Sequence, residues 1–349
     1  MRRLVLVATI VAGLAAGVRV HAADNLVLAR FADYLESLRL QTGIPGLAAA
    51  IVGTTDIAWE RGFGQQDIDR NIGALPYTPF HLDGLTQTVA ASLVLRCMDQ
   101  GRLSVDDRID HFDPATTEGN ATLRQILTHT FNGPVFSYRP QRYQSLAAVV
   151  QECEGVSFRT AVARTLDRFV MFDSVPGADA AQLTPPADGI GESWVERYRT
   201  ALARLALPYA VDSRGRASRS QYAATSLRPG SGLISTVRDY ARFDVALRAG
   251  TILRPSTLAL AWTAPTDREG RTLPHGMGWF VQNYYGEKVI WQFGQGDNAS
   301  SSLVVILPAR SLTLVLLANS DGLSRSLGLE NGDVTSSPFG KLFLGLFVR

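Results

Sequence analysis

Lysine is almost missing from this sequence. Lys288 and Lys341 are its only two lysines, although lysine and arginine together number 34. A hydrolase that activates its serine nucleophile with a lysine one helical turn later needs the pattern Ser-x-x-Lys. Tyr285 stands three residues before Lys288, and Pro338 stands three residues before Lys341. The sequence therefore contains no Ser-x-x-Lys pattern.

Histidine is scarce as well. Beyond the first 22 residues the chain has His81, His111, His129 and His275. A Ser-His-Asp triad needs a histidine base within reach of a serine, and none of the four stands in a pattern typical of such a base. His129 ends an apolar helical stretch, which is typical of a structural histidine. Ser231 in "PGSGL" lacks the G-x-S-x-G frame of a nucleophile elbow. No triad is predicted.

Cysteine is limited to Cys97 and Cys153, and no cluster of cysteine and histidine has the spacing of metal ligands. Two cysteines permit one disulfide, but both lie in apolar helical patterns where free cysteine is common, so the pairing stays open. Without Arg2, Arg3 and Arg19 the chain has 31 basic residues against 32 acidic ones. This balance argues against a nucleic-acid partner, and no motif indicates a metal or other cofactor.

The N-terminus has the pattern of a cleaved leader. Arg2 and Arg3 precede the apolar run Leu4–Val18, and "VHA" ending at Ala22 resembles a signal-peptidase site. A membrane anchor is the alternative, but the run is short and interrupted by glycines. We expect residues 1–22 to be a signal peptide and the mature protein to be periplasmic or secreted. No later segment is long and apolar enough to span a bilayer.

Strand patterns stand near both ends of the chain, and a mainly helical stretch separates them. Two strands alone are marginal in water, so the early hairpin must pair with the late strands. The sequence predicts an α/β protein of the α+β type, an antiparallel sheet flanked by terminal helices with a mainly helical insertion. It predicts one domain, residues 23–349, with sheet parts at about 23–80 and 250–349 and a helical region at about 81–249. Within it we predict helices at 25–41 and in the last residues, and strands at 47–52, 57–63, 286–293, 300–307 and 312–318.

The order of several segments is familiar. "PGLAAAIV", "TPFHLDGLTQT", "GRLSVDDRI", "ATLRQILTHTFNG" and "SGLISTVRDYARF" follow one another along the chain. In these segments the sequence resembles the serine β-lactamase and penicillin-binding-protein-like family, in its branch of class C β-lactamases, esterases and D-alanyl-carboxypeptidases. The resemblance covers nearly the whole mature chain and implies that family's fold.

The resemblance also assigns catalytic positions, and most of them carry the wrong residue. The nucleophilic serine falls on Gly84 and its lysine base on Gln87. In the family's Tyr-x-Asn motif, Tyr138 matches but Pro140 replaces the amide. In its third motif, Gln292 replaces the cation. Glycine has no side chain to acylate, and loss of a nucleophile costs a hydrolase on the order of 10⁶ in turnover.

The binding geometry of the family depends on backbone amides that these substitutions leave in place. The resemblance implies that the amides of Gly84 and Gln295 form the oxyanion site, with Tyr138, Gln292 and Gly294 around it. Gly84 would also stand at a helix N-terminus, which favours an anion. Arg139 is a candidate for adding charge beside Tyr138, although an isolated arginine is more often a solvated surface residue. The expected ligand is a small carboxylate, a peptide or a β-lactam-like molecule.

The sequence therefore favours a secreted, non-catalytic homologue that binds or regulates in a cell-wall, peptide or ester context. The alternative is an active β-lactamase, D-alanyl-carboxypeptidase or esterase with an unrecognised nucleophile. A third hypothesis is a structural partner protein, whose exposed apolar patches would mark an interface.

Overall fold

The computed structural model describes residues 19–131, 135–185, 189–223 and 225–348. Most of the predicted leader, residues 1–22, lies outside these ranges. The helices of the described residues are α1 (Arg19–Gln41), α2 (Thr86–Asp99), α3 (Leu123–Leu127), α4 (Leu146–Glu154), α5 (Phe158–Arg168), α6 (Glu192–Leu202), α7 (Val237–Arg248), α8 (Pro255–Ala261) and α9 (Pro338–Phe347). Among them, no helix has both the length and the apolar character that a bilayer span requires.

The strands form one large sheet and three small ones. The large sheet has the order β11-β12-β13-β14-β1-β2-β3, and all its neighbouring strands are antiparallel. The strands of the described residues are β1 (Gly46–Val52), β2 (Ile57–Asp67), β3 (Ile72–Gly73), β4 (Phe80–His81), β5 (Thr130–Phe131), β6 (Val135–Phe136), β7 (Val175–Pro176), β8 (Tyr209–Val211), β9 (Ala217–Arg219), β10 (Leu233–Ser235), β11 (Phe280–Tyr284), β12 (Glu287–Gly296), β13 (Ser300–Leu307) and β14 (Leu312–Ala318).

The large sheet joins the two ends of the chain through β1 and β14. Leu47 pairs with Ala318, and the register continues to Val52 opposite Thr313. Strand β1 also pairs with β2 as the predicted hairpin. The expected α+β architecture is therefore confirmed, with a hairpin from the start of the chain closing onto strands from its end.

Strand β1 is buried on both faces, and its side chains alternate between two apolar cores. Leu47, Ala49 and Ile51 pack in the core that contains Phe31 of α1 and Phe343 of α9. The alternate residues of β1 pack in the other core, which includes the buried face of α2 and residues of α7. Helices therefore cover both faces of the sheet.

Helix α2 is the central element of the helical region. Every residue from Thr86 to Leu95 is buried, and Val89, Val94 and Leu95 belong to the larger apolar core. A disulfide joins Cys97 near the end of α2 to Cys153 in α4, across 56 residues of sequence. The pairing that the sequence left open is thus made, and it attaches α2 covalently to the helix packed beside it.

Candidate functional site

Gly84 lies in a one-turn 3₁₀ helix, Asp83–Leu85, directly before α2. The backbone of β12 approaches this turn closely. A Cβ atom added to Gly84 would lie 2.5 Å from the carbonyl oxygen of Phe293 and 3.2 Å from the Tyr138 hydroxyl. A Cβ on Gly294 would lie 2.2 Å from the carbonyl oxygen of Leu82. The contacts with the Phe293 and Leu82 oxygens are contacts with backbone atoms, which cannot rotate away as a side chain can. The turn and the strand therefore approach this closely only because both positions are glycine.

Gln87 is the second residue of α2 and is fully buried. Its Nε2 donates to the Tyr138 hydroxyl at 2.7 Å, and its Oε1 lies 2.8 Å from Nε2 of His129. The backbone N–H of Arg139 donates to Nδ1 of His129 at 3.2 Å. Because Nδ1 accepts, Nε2 of His129 carries the hydrogen and donates it to Gln87.

The same chain of hydrogen bonds continues from Tyr138 to the third motif. The Tyr138 hydroxyl donates to Oε1 of Gln292 at 3.3 Å. Nε2 of Gln292 lies 3.4 Å from Nε2 of His275, and Nδ1 of His275 lies 2.6 Å from the carbonyl oxygen of Gly276. That carbonyl requires a hydrogen on Nδ1, so Nε2 of His275 is left to accept from Gln292.

Together these contacts form a one-directional chain of donors, which we call the motif network: His129, Gln87, Tyr138, Gln292 and His275. Four of its members are fully buried, and Tyr138 is partly buried. Hydrogen bonds that run in one direction polarise one another, and each member has a partner for its donor and its acceptor. The amide groups of both glutamines are therefore engaged within the network.

The motif network is electrically neutral at pH 7. Burial lowers the pKa of His275 to about 3. Burial also lowers the pKa of His129 well below its ordinary value, and the neighbouring His275 and Arg142 lower it further. The pKa of Tyr138 is raised by burial, with partial opposition from its hydrogen bond with Gln87. No member is charged, and none of them is a strong base.

A cavity of about 530 Å³ opens beside Gly84 and Tyr138. Of the residues predicted to bind a ligand, Gly84, Tyr138 and Gln295 line it, whereas Gln292 and Gly294 do not. Pro140 also lines the cavity, as the first residue of the 3₁₀ helix Pro140–Ser145. The structure thus brings the motif positions into one place but divides them between the cavity wall and the network behind it.

Arg139, the candidate for adding charge beside Tyr138, does not line this cavity and is exposed, as the alternative of a solvated surface arginine expects. Its guanidinium Nε donates to Ser137 Oγ at 3.2 Å. The two lysines are also outside the lining, and both are exposed. In the described part of the chain, a cluster of metal-ligand type is formed by Cys97, Cys153 and Glu154, but the disulfide occupies both sulfurs.

The cavity contains a carboxylate that the sequence analysis missed. Asp83 is partly buried, and Ser300 Oγ donates to its Oδ2 at 2.7 Å. Burial raises the pKa of Asp83 to about 6; the Ser300 hydrogen bond opposes the rise, and the charge of Asp297 adds to it. Asp83 has a φ of +48°, in the left-handed region where aspartate is one of the tolerated residues. The sequence signal that could have identified Asp83 as a site residue is its position directly before Gly84.

His129 and His275 were also missed as members of the site. The sequence predicted that His129 is structural, and it is fully buried, yet its ring nitrogen contacts Gln87 directly. Its φ of +52° places it, like Asp83, in the left-handed region. Non-glycine residues in this region cluster at functional sites, but a sequence does not display them.

Known proteins resemble this chain along most of its length in structure and over shorter segments in sequence. The octameric penicillin-binding protein homologue from Pyrococcus abyssi has a TM-score of 0.71 and 17% identity, over 86% of this chain and 75% of that one. Protein flp of Staphylococcus aureus (strain NCTC 8325 / PS 47) is 29% identical over 102 residues, 27% of this chain and 20% of its own length. The Bacillus subtilis (strain 168) penicillin-binding protein PbpX is 28% identical over 102 residues, 29% of this chain and 25% of its own length.

The matches to these two curated relatives thus span a quarter of their length or less. The similarity to the solved structure is below 25% sequence identity, so it shows the fold alone. A family model described as Beta-lactamase matches residues 27–334, which is most of the chain. The chain therefore belongs to the β-lactamase family.

Proposed function

We propose that this protein is an exported, non-catalytic member of the β-lactamase family that binds or regulates in a cell-wall, peptide or ester context. Its ligand is a small carboxylate, a peptide or a β-lactam-like molecule, held without covalent attachment in the cavity beside Gly84. The active hydrolases of this family differ from it at the nucleophile and at the base.

The observation that carries the proposal is the lack of room for a side chain at position 84. Glycine supplies no nucleophile, and a Cβ there would lie 2.5 Å from the Phe293 carbonyl oxygen. Real Cβ atoms do not approach a backbone oxygen so closely. A serine would therefore require the turn or strand β12 to move, so the position is adapted to glycine rather than only lacking a serine.

The motif network supports the same proposal. A general base for acylation must take a proton at neutral pH. Gln87 is an amide, and its donor and acceptor are both engaged, with Tyr138 and His129. The amide of Gln292 is held in the same way. Neither position offers a base.

Export is supported by the disulfide and by the predicted leader at residues 1–22. Disulfides persist in oxidising compartments such as the periplasm and the extracellular space, and they are rare in the cytosol. Cys97 and Cys153 are paired, and the described residues hold no free cysteine. We therefore place the mature protein in the periplasm or outside the cell.

Covalent labelling tests the loss of catalysis. The purified protein is incubated with fluorescent penicillin and with nitrophenyl esters, and an active β-lactamase serves as the positive control. We expect no adduct by intact mass spectrometry and no ester turnover above background. The double variant Gly84→Ser, Gln87→Lys is also expected to stay unlabelled, because the Phe293 carbonyl oxygen occupies the space. A stoichiometric adduct on the natural protein would overturn the proposal.

Binding itself needs a second measurement. Calorimetry with D-Ala-D-Ala peptides, muropeptides and penicillins is expected to show saturable heat at millimolar concentration or below. Absence of heat with all three classes would remove the binding role.

One observation favours the alternative, an active hydrolase with a different nucleophile. Ser300 lies in the cavity wall, and its hydroxyl donates to the Asp83 carboxylate at 2.7 Å. A carboxylate that accepts a serine proton is a minimal form of nucleophile activation. Peptide mapping of any adduct distinguishes the two functions, because this alternative requires the label on Ser300.

A further inference from the structure

The charges around the cavity beside Gly84 are mostly negative. Its lining includes the carboxylates of Asp83, Asp297 and Glu330, against one guanidinium, that of Arg228. Arg228 is exposed, and its Nη1 donates to Oε1 of Gln144 at 3.2 Å. A cavity lined in this way repels a free carboxylate and attracts a cation.

Asp83 is the carboxylate that lies deepest in this arrangement, next to Gly84. Within the described residues no arginine or lysine forms an ion pair with it, and its side-chain hydrogen bond comes from the neutral hydroxyl of Ser300. Most other partly buried carboxylates in the chain have an arginine partner, as Glu154 has Arg96. Asp83 therefore lacks a counter-ion in the part of the chain that the structure describes.

His81 lies in the same wall with an unused hydrogen-bonding atom. Its side chain is only 2% exposed, and its Nε2 has no hydrogen-bond partner among the described residues. Burial lowers the pKa of His81 to about 4, so the ring is neutral and does not serve as the missing counter-ion. An unpaired buried polar atom costs free energy unless a ligand or water supplies its partner.

Aromatic rings complete the lining. Tyr222 stacks on His81 with ring centroids 3.9 Å apart, and Tyr138 and Phe293 lie 5.3 Å apart. All of them face the cavity. Aromatic faces beside carboxylates form a favourable environment for an organic ammonium group, because the ring quadrupole adds to the charge attraction.

We propose that the cavity selects a ligand carrying a primary ammonium group, such as a peptide with a free amino group, and that Asp83 is its counter-ion. This inference rests on the binding role proposed above and narrows its ligand classes to molecules with a free amino group, such as a peptide. Asp83 and Ser300 hold the ammonium end of the ligand, and the aromatic rings pack against the same cation. A ligand whose only charge is a carboxylate is disfavoured by the same three acidic residues.

Calorimetry with a matched set of dipeptides at pH 7 tests the inference. The cationic probe is D-alanyl-D-alanine amide, the neutral probe is N-acetyl-D-alanyl-D-alanine amide, and the anionic probe is N-acetyl-D-alanyl-D-alanine. An α-amino group has a pKa of about 7.7–8.0 and is mostly protonated at this pH. We expect the cationic probe to bind roughly tenfold or more tightly than the neutral one, the size of one charge-assisted hydrogen bond.

Substitution of Asp83 shows whether it carries that preference. Asp83→Asn keeps the shape of the side chain and tolerates the left-handed backbone, so the variant is expected to fold. It should bind the cationic and neutral probes equally. Asp56→Asn, at an exposed position outside the cavity, should keep the full preference of the natural protein.

The outcomes separate this inference from the proposed function. If the neutral or anionic dipeptide binds as tightly as the cationic one, the binding role stands and the ammonium site is overturned. The site is also overturned if Asp83→Asn keeps the preference. If no probe binds, the binding role fails, and the ammonium site fails with it.

Discussion

The motif network and the part of the cavity wall formed by Asp83, His81 and Ser300, which we call the Asp83 wall, treat polar groups in opposite ways. In the motif network His129, Gln87 and Gln292 are buried, neutral and paired. At the Asp83 wall, a carboxylate without a counter-ion lies near a histidine with an unpaired Nε2. A satisfied network rigidifies a structure, whereas an unsatisfied group costs stability until something binds it.

This difference indicates which part of the site a ligand is expected to bind. Two of the motif positions, Gln87 and Gln292, do not line the cavity and have their side chains engaged in hydrogen bonds. At the Asp83 wall, the carboxylate next to Gly84 has no opposite charge beside it among the described residues. Three variants test this contrast, and the one with the largest expected effect comes first.

Gln87→Lys is expected to have the largest effect, because it places an ammonium group inside the neutral network. The lysine also removes the oxygen that accepts from His129. A buried charge without an opposite charge costs about 3–5 kcal/mol, so the free energy of unfolding should fall by that amount in urea titrations at pH 7. Gln141→Lys is the control, since Gln141 is exposed and should change stability by less than about 0.5 kcal/mol. Equal midpoints for the two variants would show that the network is not closed to charge.

Asp83→Asn is expected to stabilise the protein. The pKa of Asp83 is about 6 in the folded chain against 3.8 ordinarily, so ionisation opposes folding. Stability is therefore lost as the pH rises from about 4 to about 6, and the loss is constant above that. One pKa unit corresponds to about 1.4 kcal/mol, so the variant should gain at most about 3 kcal/mol above pH 6 and nothing below pH 4. Chemical denaturation of both proteins across this range measures it; a constant difference at every pH would contradict it.

Gly84→Ala tests the close approach of the turn to β12. The added Cβ meets the Phe293 carbonyl oxygen at 2.5 Å, so we expect a loss of about 1–3 kcal/mol, as for other overpacked sites. Gly345→Ala is the matched control, because Gly345 lies in α9 and its added Cβ meets nothing within 4 Å. That control should gain up to about 1 kcal/mol from helix propensity. If both variants gain stability by thermal unfolding, the turn has room for a side chain.

Much of the fold follows from local patterns. The hairpin of β1 and β2 and the three late strands were predicted within a few residues, because alternation and turn residues act over short distances. The disulfide remained open, because Cys97 and Cys153 carry no signal of their mutual distance. The site was partly predictable: Gly84, Gln87, Tyr138 and Gln292 were found as positions, but not as one hydrogen-bonded chain.

From the sequence alone it was possible to say which residues stand at the motif positions and where the early hairpin, the three late strands and the terminal helices form. What the replacing residues do depends on the tertiary structure. Gln87 and Tyr138 are 51 residues apart, and Tyr138 and Gln292 are 154 apart, so their contact depends on how the sheet and α2 pack. The charge state of Asp83 was decided in the same way, because a pKa depends on burial and neighbours, which the fold supplies and the sequence does not display.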